Sequence, residues 1–474
     1  MSALDASRRT TRDLIPIVIA ALLLRLPIAL SRAPLGFDDG VYFASAGALR
    51  AGGRPFAEVY SSQGPAFLPL LWLADQLGLR TWWSPRLLPL LAGVALTALI
   101  YRLAQSLTDR AGAATSALLV ATSGCLLYST TRIESDGVAL AFAAGAVLAA
   151  SRSGAQRDVL TSVLLGIAVA VKSLLVAPAA LAVLWLVWRR RGWRPAALVV
   201  AGAAVVLSLL SVPWGLRAVW EQSILLHLQA ADGFDVAANS QFVRGVLRDR
   251  DLLLIGFGVA AIAWSAGLAI VGGRGSARAV VVPSSERDLR VAMWIWTLGS
   301  VAVVLLHQPL FLQHLAIVVP PAALLIGLHR PPVAVIVAVA ALLLPSHGGG
   351  AGWRWTTTMP SDDERVAIDV LRRIEPQSGM VISDAPTLVW LAGRTSPASV
   401  VDVSFVRIEA GQLTTADVVL AAHERDVCGV LIWTQRLGLL PGLRQELRDY
   451  RSVVREGDQE LWLREGCELG RVAR

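Results

Sequence analysis

Charge is what this chain has least of. Only 16% of its 474 residues are Asp, Glu, Lys or Arg, against roughly 25% in a typical globular chain, and the shortage is concentrated in the first three quarters. With 55% hydrophobic residues and a mean hydropathy of +0.59, this excludes an ordinary soluble protein, although the length alone would suggest about three domains. Lysine is nearly absent: Lys172 is the single one. Cysteine is scarce as well. Cys125, Cys428 and Cys467 lie too far apart for CxxC metal or redox spacing, and nothing else in the sequence argues for the Cys428–Cys467 disulfide that the pair is free to form. HExxH, Walker A and Rossmann glycine patterns are all missing, which removes the chemistries those motifs carry. The net charge of +8 does not imply nucleic acid, because the arginines stand singly or in short groups between apolar runs and report topology instead.

What is present is a series of apolar runs near 14–32, 87–106, 112–130, 137–151, 159–175, 176–188, 196–213, 251–272, 291–306, 310–328 and 332–345. They predict about eleven transmembrane helices, several shorter than the ~20 residues that cross a bilayer core. Arg8, Arg9 and Arg12 before the first run place the N-terminus in the cytoplasm. Eleven crossings then leave the tail outside, and put Arg152, Arg157, Arg189, Arg190, Arg191, Arg194, Arg274, Arg278, Arg287, Arg290 and Arg330 in cytoplasmic loops. Counting the apolar stretch Pro65–Gly78 as a span would move those arginines to the wrong side. It is therefore read as an interfacial helix on the outer leaflet, anchored by Trp72, Trp82 and Trp83. The expectation is a multi-pass plasma-membrane protein with external segments at about Pro34 to Pro85 and Pro213 to Arg250.

After Ser346 the composition changes. A Gly-rich linker, HGGGAGWRW, precedes a charged tail in which Ser361 with Glu364 and Thr414 with Asp417 have capping-box spacing, predicting helices to about Ile374 and His423. β-prone runs at Met380–Ser383, Val400–Phe405, Gly429–Trp433 and Tyr450–Val454 alternate with them, and Leu461–Leu463 is expected to pair back across the turn at Gly457 and Asp458. The division predicted is a membrane domain, 1–345, and a linker with a small extracytoplasmic α/β domain, 346–474. In the tail, Asp384 and Asp402 are candidate ligand contacts, with loop capping the more ordinary role for an Asp beside a turn.

Carboxylates beside membrane spans are costly unless solvated, paired or functional. Two groups stand near predicted outer ends: Asp38 and Asp39 in PLGFDDGVYF, and Glu134 and Asp136 in TRIESDG. An ionised carboxylate there can take a proton from an attacking hydroxyl, while others bind sugar hydroxyls or a divalent cation such as Mg or Mn, with Asp39, Glu134 and Asp136 the candidate metal ligands. The plain reading is helix capping, since Asp136 stands at the positive end of a span. Arg132 and Lys172 are candidate phosphate-binding cations, and His307 and His314, in HQPLFLQH, candidate phosphate or proton-transfer groups. Headgroup snorkelling and interfacial packing are the corresponding structural roles.

The phrases FDDGVYFASAGALRAGGRPFAEVYSSQGPAFLPLLWL, TRIESDG, the lysine at 172 and HQPLFLQHLAIVVPP resemble GT-C glycosyltransferases, in particular the family 39 group of protein mannosyltransferases and aminoarabinose transferases. The tail phrases ISDAPTLVWLAGR and GVLIWTQRL resemble external domains of actinobacterial-type members. The resemblance implies an all-α polytopic GT-C bundle that transfers a monosaccharide, with inversion, from a polyprenyl-phosphate donor to an extracytoplasmic glycan, glycolipid or protein hydroxyl. It implies Asp38 as catalytic base, and Asp39, an Asp where the family usually has Glu, with Glu134 and Asp136 as organising acids. Arg132, Lys172, His307 and His314 would then hold the lipid phosphate. The alternative class is a transporter or flippase in which the same acids couple ions or bind solute; no inverted repeat or broken-helix pair marks the spans for it.

Overall fold

In the computed structural model, which describes residues 3–31, 36–152, 154–229, 235–271, 284–329 and 360–470, the apolar runs fold as helices. Contacts divide the chain into two units: Met1–Ser31, Leu88–Leu209 and Gly233–Thr357 form the first, and Arg32–Leu87, Leu210–Asp232 and Thr358–Arg474 the second.

The first unit is a helical bundle of α1 (Ala3–Leu30), α4 (Leu87–Ala104), α5 (Arg110–Thr122), α6 (Gly124–Thr131), α7 (Ser135–Ala150), α8 (Ala155–Val171), α9 (Ser173–Arg191), α10 (Trp193–Ser211), α13 (Val236–Arg250), α14 (Leu252–Val271), α15 (Ser284–Leu306) and α16 (Val319–Leu328). Helix α7, SDGVALAFAAGAVLAA, is apolar on every side and almost wholly buried, as a helix without a polar face must be. Its small residues let neighbours come close: a Cβ on Gly137 would fall 2.5 Å from Thr130 of α6. Five described helices are long and apolar enough to cross a membrane, or six if the bent pair α5–α6 is one span. That is fewer than the eleven expected. Helices α7 and α16 are too short by the same measure, and residues 310–328, read as one span, begin instead with a 3-10 turn at Leu312–Val318. The run at 332–345 and the linker after it lie outside the described residues.

The 59° break between α5 and α6, a broken-helix pair that the sequence did not show, has an electrostatic cause. Fully buried Arg25 donates to the carbonyls of Ala121 (3.2 Å) and Val120 (3.4 Å) at the end of α5, and to Thr130 Oγ1 (2.9 Å). Asp251 accepts from the amides of Gly124 (2.9 Å) and Cys125 (3.1 Å) that open α6. A cation on the carbonyl end and a carboxylate on the amide end satisfy groups that an unbroken helix would have paired internally.

The second unit gathers α2 (Phe37–Arg50), α3 (Phe67–Leu77), α11 (Leu216–Trp220), a π-turn at Glu221–Leu225 and α12 (Leu226–Gln229) with the tail. Eleven residues make α3 about 16 Å long at 1.5 Å per residue, well short of a bilayer core. The tail contains α17 (Asp362–Arg372), β1 (Ile374–Glu375), β2 (Met380–Ser383), α18 (Pro386–Leu391), α19 (Phe405–Glu409), α20 (Thr415–Ala422), β3 (Val427–Ile432), α21 (Leu443–Glu446), β4 (Tyr450–Glu456), β5 (Gln459–Arg464) and β6 (Glu468–Leu469). The four-stranded sheet has the order β2-β3-β5-β4, with β2 and β3 parallel and the other pairs antiparallel. Strand β3 is buried along its whole length, because α20 lies over one face of the sheet and α17 with α18 over the other. Both expected capping boxes form, at Ser361/Glu364 and Thr414/Asp417, and Cys428 is disulfide-bonded to Cys467. Val400–Phe405, expected as a strand, is instead a 3-10 turn leading to α19: Asp402 accepts from the Ser404 amide and Ser404 caps Arg407, so side chains take the amides a ladder would need.

Candidate functional site

Gly36, extended, opens α2 and leaves Asp38 and Asp39 in its first turn, where the helix dipole favours carboxylates. Asp39 is fully buried and pairs at 3.4 Å with Arg86, itself 2% exposed. Asp38 is half-buried and lies in the electrostatic field of Arg436. The Arg436 guanidinium is stacked between Phe37, 4.1 Å from the ring centroid, and Phe405, at 4.6 Å, and donates to Thr434 Oγ1 (2.8 Å) and the Asp384 carbonyl (3.2 Å). Burial pulls its pKa down, against the opposing pull of Asp384, Asp38 and Asp402.

One face of α2 is fitted to the tail. Phe37 meets Arg436, Gly40 meets α18, Phe43 stacks on Trp390 at 4.7 Å and 14°, and Arg50 lies 5.7 Å over the same indole. The spacing of three to four residues is that of a single helical stripe. At Gly40 a Cβ would fall 2.4 Å from the Thr387 amide nitrogen, so only glycine fits. The C-terminal end of the same helix is pinned by Arg50, which forks onto Asp75 at 2.8 and 2.7 Å.

Residues 56–62 are held in this unit largely by amide side chains. Gln222 accepts from the Ser61 amide (3.0 Å) and donates to the Phe56 carbonyl (2.9 Å), His227 contacts the Ser62 carbonyl at 3.0 Å, and Gln412 accepts from the Tyr60 hydroxyl at 2.8 Å. Burial raises the Tyr60 pKa beneath the Arg407 guanidinium, 3.7 Å from its ring centre.

In the first unit, Glu134 occupies the N-cap position of α7 and Asp136 its first turn, both buried. Lys172 is the extended residue between α8 and α9, and its Nζ lies 2.7 Å from Asp136 Oδ2. Arg132, at the end of α6, stacks 4.4 Å over Tyr128, and Arg250, ending α13, lies 5.6 Å over the same ring. His307 and His314 have ring centroids 4.7 Å apart, and His314 Nδ1 accepts from the Phe311 amide. The 3-10 turn carrying His314 packs against α6 and α7. Asn239 donates to the carbonyls of Leu305 and His307, at 3.0 Å each, fixing the loop between α15 and that turn.

Thus the structure joins Asp136 to Lys172 and His307 to His314, and gives Asp39 and Arg132 partners that sequence reasoning missed: Arg86, and Tyr128 with Arg250. Tyr128 had a signal, standing four residues before Arg132 on one helix. Arg86, Arg250 and Arg436 had none, since each reaches its contact through distant chain. Asp384 and Asp402 serve the turns: Asp384 is buried and accepts from the amides of Trp433, Thr434 and Leu437. Among the described residues no three His, Cys, Asp or Glu side chains are placed to hold one metal ion. Asp39 and Asp136 are each already matched to a cation.

The model of the family described as dolichyl-phosphate-mannose-protein mannosyltransferase matches residues 62–214. ArnT from Cupriavidus metallidurans, solved bound to undecaprenyl phosphate, superposes with a TM-score of 0.60 over 97% of this chain and 98% of its own, at 14% identity. The archaeal oligosaccharyltransferase AglB from Archaeoglobus fulgidus, solved with an inhibitory peptide and a dolichol-phosphate, gives 0.52 over 95% of this chain and 73% of its own, at 13% identity. The chain shares their fold. No curated protein matches it by sequence. At these identities the likeness lies in the course of the backbone.

Proposed function

We propose that the chain is a GT-C membrane glycosyltransferase of family 39, of actinobacterial type, transferring a monosaccharide from a polyprenyl-phosphate donor to an extracytoplasmic hydroxyl with inversion. The observation that carries the reading is Asp38, a half-buried acid on a helix whose neighbouring carboxylate, Asp39, is neutralised by Arg86. Support also comes from the shared fold and from the lipid phosphates bound in the two solved relatives. In this reading the N-terminus is cytoplasmic, residues 1–345 carry the transfer machinery, and the domain in 346–474 is extracytoplasmic.

Asp38 takes the proton as the acceptor oxygen bonds to the anomeric carbon. The bond from that carbon to the lipid phosphate breaks, and the phosphate leaves with the electron pair. A phosphate leaving group is already anionic and needs cations more than a strong acid. Arg132, Lys172, His307 and His314 are assigned that task, with Asp136 holding Lys172 in place. Asp39 and Glu134 are assigned to organising substrate. No step is routed through a divalent cation, because among the described residues no three His, Cys, Asp or Glu side chains are placed to hold one.

The test is transfer of radiolabelled sugar from a panel of polyprenyl-phosphate sugars, using membranes that contain the wild type or Asp38→Asn at equal expression. Transfer that falls by at least ~100-fold in the variant is expected for loss of a general base. Undiminished transfer by Asp38→Asn removes the base assignment. No transfer from any donor, with solute or lipid movement in its place, establishes the transporter class. A parallel arm with EDTA is expected to leave the rate unchanged.

A further inference from the structure

Helices α9 and α10 form a hairpin joined at Gly192, and with α15 they enclose an open groove of about 470 Å³. Leu181, Leu184, Trp185, Trp188 and Ile295 line its walls, and the small side chains of Ala196 and Ala197 leave the space. The groove runs toward the end of the hairpin that carries Arg189, Arg190, Arg191 and Arg194. Two of these arginines are occupied by the protein. Arg190 donates to the Ser151 carbonyl, and Arg191 donates to Ala150 and Arg152 and pairs with Asp158.

The other two are presented to the surroundings. Arg189 is 42% exposed, lies 5.6 Å over Trp185 and 6.0 Å over Trp188, and is only 3.9 Å from its carboxylate partner Asp288. Arg194 is exposed and lies 5.7 Å over Trp193. Stacking on indoles holds both guanidiniums beside the groove with donors to spare, since cation–π contact uses the ring face and leaves the N–H groups open. An apolar channel with two exposed cations at its end describes a fatty chain bearing an anionic head.

We propose that this groove binds one acyl chain of an anionic diacyl phospholipid, with Arg189 and Arg194 on its phosphate. From Arg189 to Leu181 is about 12 Å along α9 at 1.5 Å per residue, enough for the proximal part of the chain. The distal part continues into the bilayer past exposed Leu181. A neutral or zwitterionic lipid fits the channel equally well and forfeits the charge match, so selectivity resides in the two arginines. None of these residues has a part in the transfer reaction proposed above, so the site stands independently of it.

The experiment titrates the full-length protein in detergent with phosphatidylglycerol or phosphatidylcholine and counts retained lipids by native mass spectrometry. One phosphatidylglycerol is expected to be held well above phosphatidylcholine. An arginine near a charged lipid surface accounts for about fivefold, so Arg194→Gln should lower retention about fivefold and Arg189→Gln/Arg194→Gln about 25-fold. Ala197→Trp, which fills the groove, should abolish specific retention of both lipids. Equal retention of the two lipids, or phosphatidylglycerol retention unchanged in Arg194→Gln and in the double variant, overturns the proposal. So does a dimer that covers the groove and binds no lipid. Arg194 has no ion pair among the described residues, so its substitution tests the site without unbalancing the bundle.

Discussion

Two glycines on α2 give opposite predictions for the same substitution. Gly40 and Gly47 lie seven residues apart on the face that meets the tail, and alanine is the better helix former by roughly 1 kcal/mol at either. At Gly47 the new Cβ would stand 3.9 Å from the Trp390 ring, an ordinary contact, so Gly47→Ala should be neutral or stabilising. At Gly40 it would stand 2.4 Å from the Thr387 nitrogen and 2.9 Å from the Pro386 carbonyl carbon, both backbone atoms that cannot rotate aside. The helix must then move away from α18, straining the Phe43–Trp390 stack and the Phe37–Arg436 contact. Overpacking of this kind costs about 1–3 kcal/mol. In a unit of about 200 residues each kcal/mol shifts the melting midpoint ~2–4 °C, so Gly40→Ala should melt about 2–12 °C lower. Intrinsic tryptophan fluorescence of the purified chain during heating measures this, with sugar transfer assayed beside it. Transfer should fall in Gly40→Ala and persist in Gly47→Ala. If Gly40→Ala melts and transfers as the wild type does, α2 is not seated on the tail as described.

Lys172→Gln leaves Asp136 fully buried without its cation and should cost about 3–5 kcal/mol, much of which Asp136→Asn added to it should restore; a double-mutant cycle on the thermal midpoint decides. The Cys428–Cys467 bridge spans 39 residues, a loop for which the chain-entropy estimate is about 4 kcal/mol. Reduction with dithiothreitol, or Cys428→Ala/Cys467→Ala, should therefore lower the resistance of the tail to proteolysis, and unchanged digestion would contradict this. The Tyr450 hydroxyl, 2.8 Å from the Ala422 carbonyl, has its pKa pushed up to about 12 by burial. Its contribution is complete below pH ~10, the ordinary tyrosine value, and is lost as pH climbs toward 12. Wild-type stability should fall across that window more steeply than that of Tyr450→Phe, as denaturant midpoints measured at each pH will reveal.

Short-range chemistry was readable from the chain. Ser361 with Glu364 and Thr414 with Asp417 predict their helices because a capping box closes within four residues. The β4–β5 hairpin is marked by Gly457 and Asp458 between β-prone runs. At Val400–Phe405 propensity misleads, since Asp402 and Ser404 hydrogen-bond locally. In the membrane part, hydropathy locates the apolar runs but does not reveal that Arg25 and Asp251 hold one of them bent at Ser123. The candidate acids were visible as charges in apolar surroundings. Their partners were not: Arg86 is 47 residues from Asp39, and Lys172 is 36 from Asp136. Pairing over such separations depends on tertiary packing, which no local pattern encodes.

The seat of α2 also constrains the order in which the protein can be completed. Phe37 leaves the ribosome roughly 350 residues ahead of Trp390 and roughly 400 ahead of Arg436, on which its helix rests. At ~5–20 residues per second, the interval is on the order of 20–80 s. The second unit is thus assembled from three separated lengths of chain, and the first of them cannot complete its packing before the last is made. A nascent chain that stalls before Trp390 holds an acidic helix with nothing to receive it. Synthesis through Arg436 is consequently a condition for the Asp38 helix to be set in place, and a product that stops short of it lacks that support however well its membrane helices have formed.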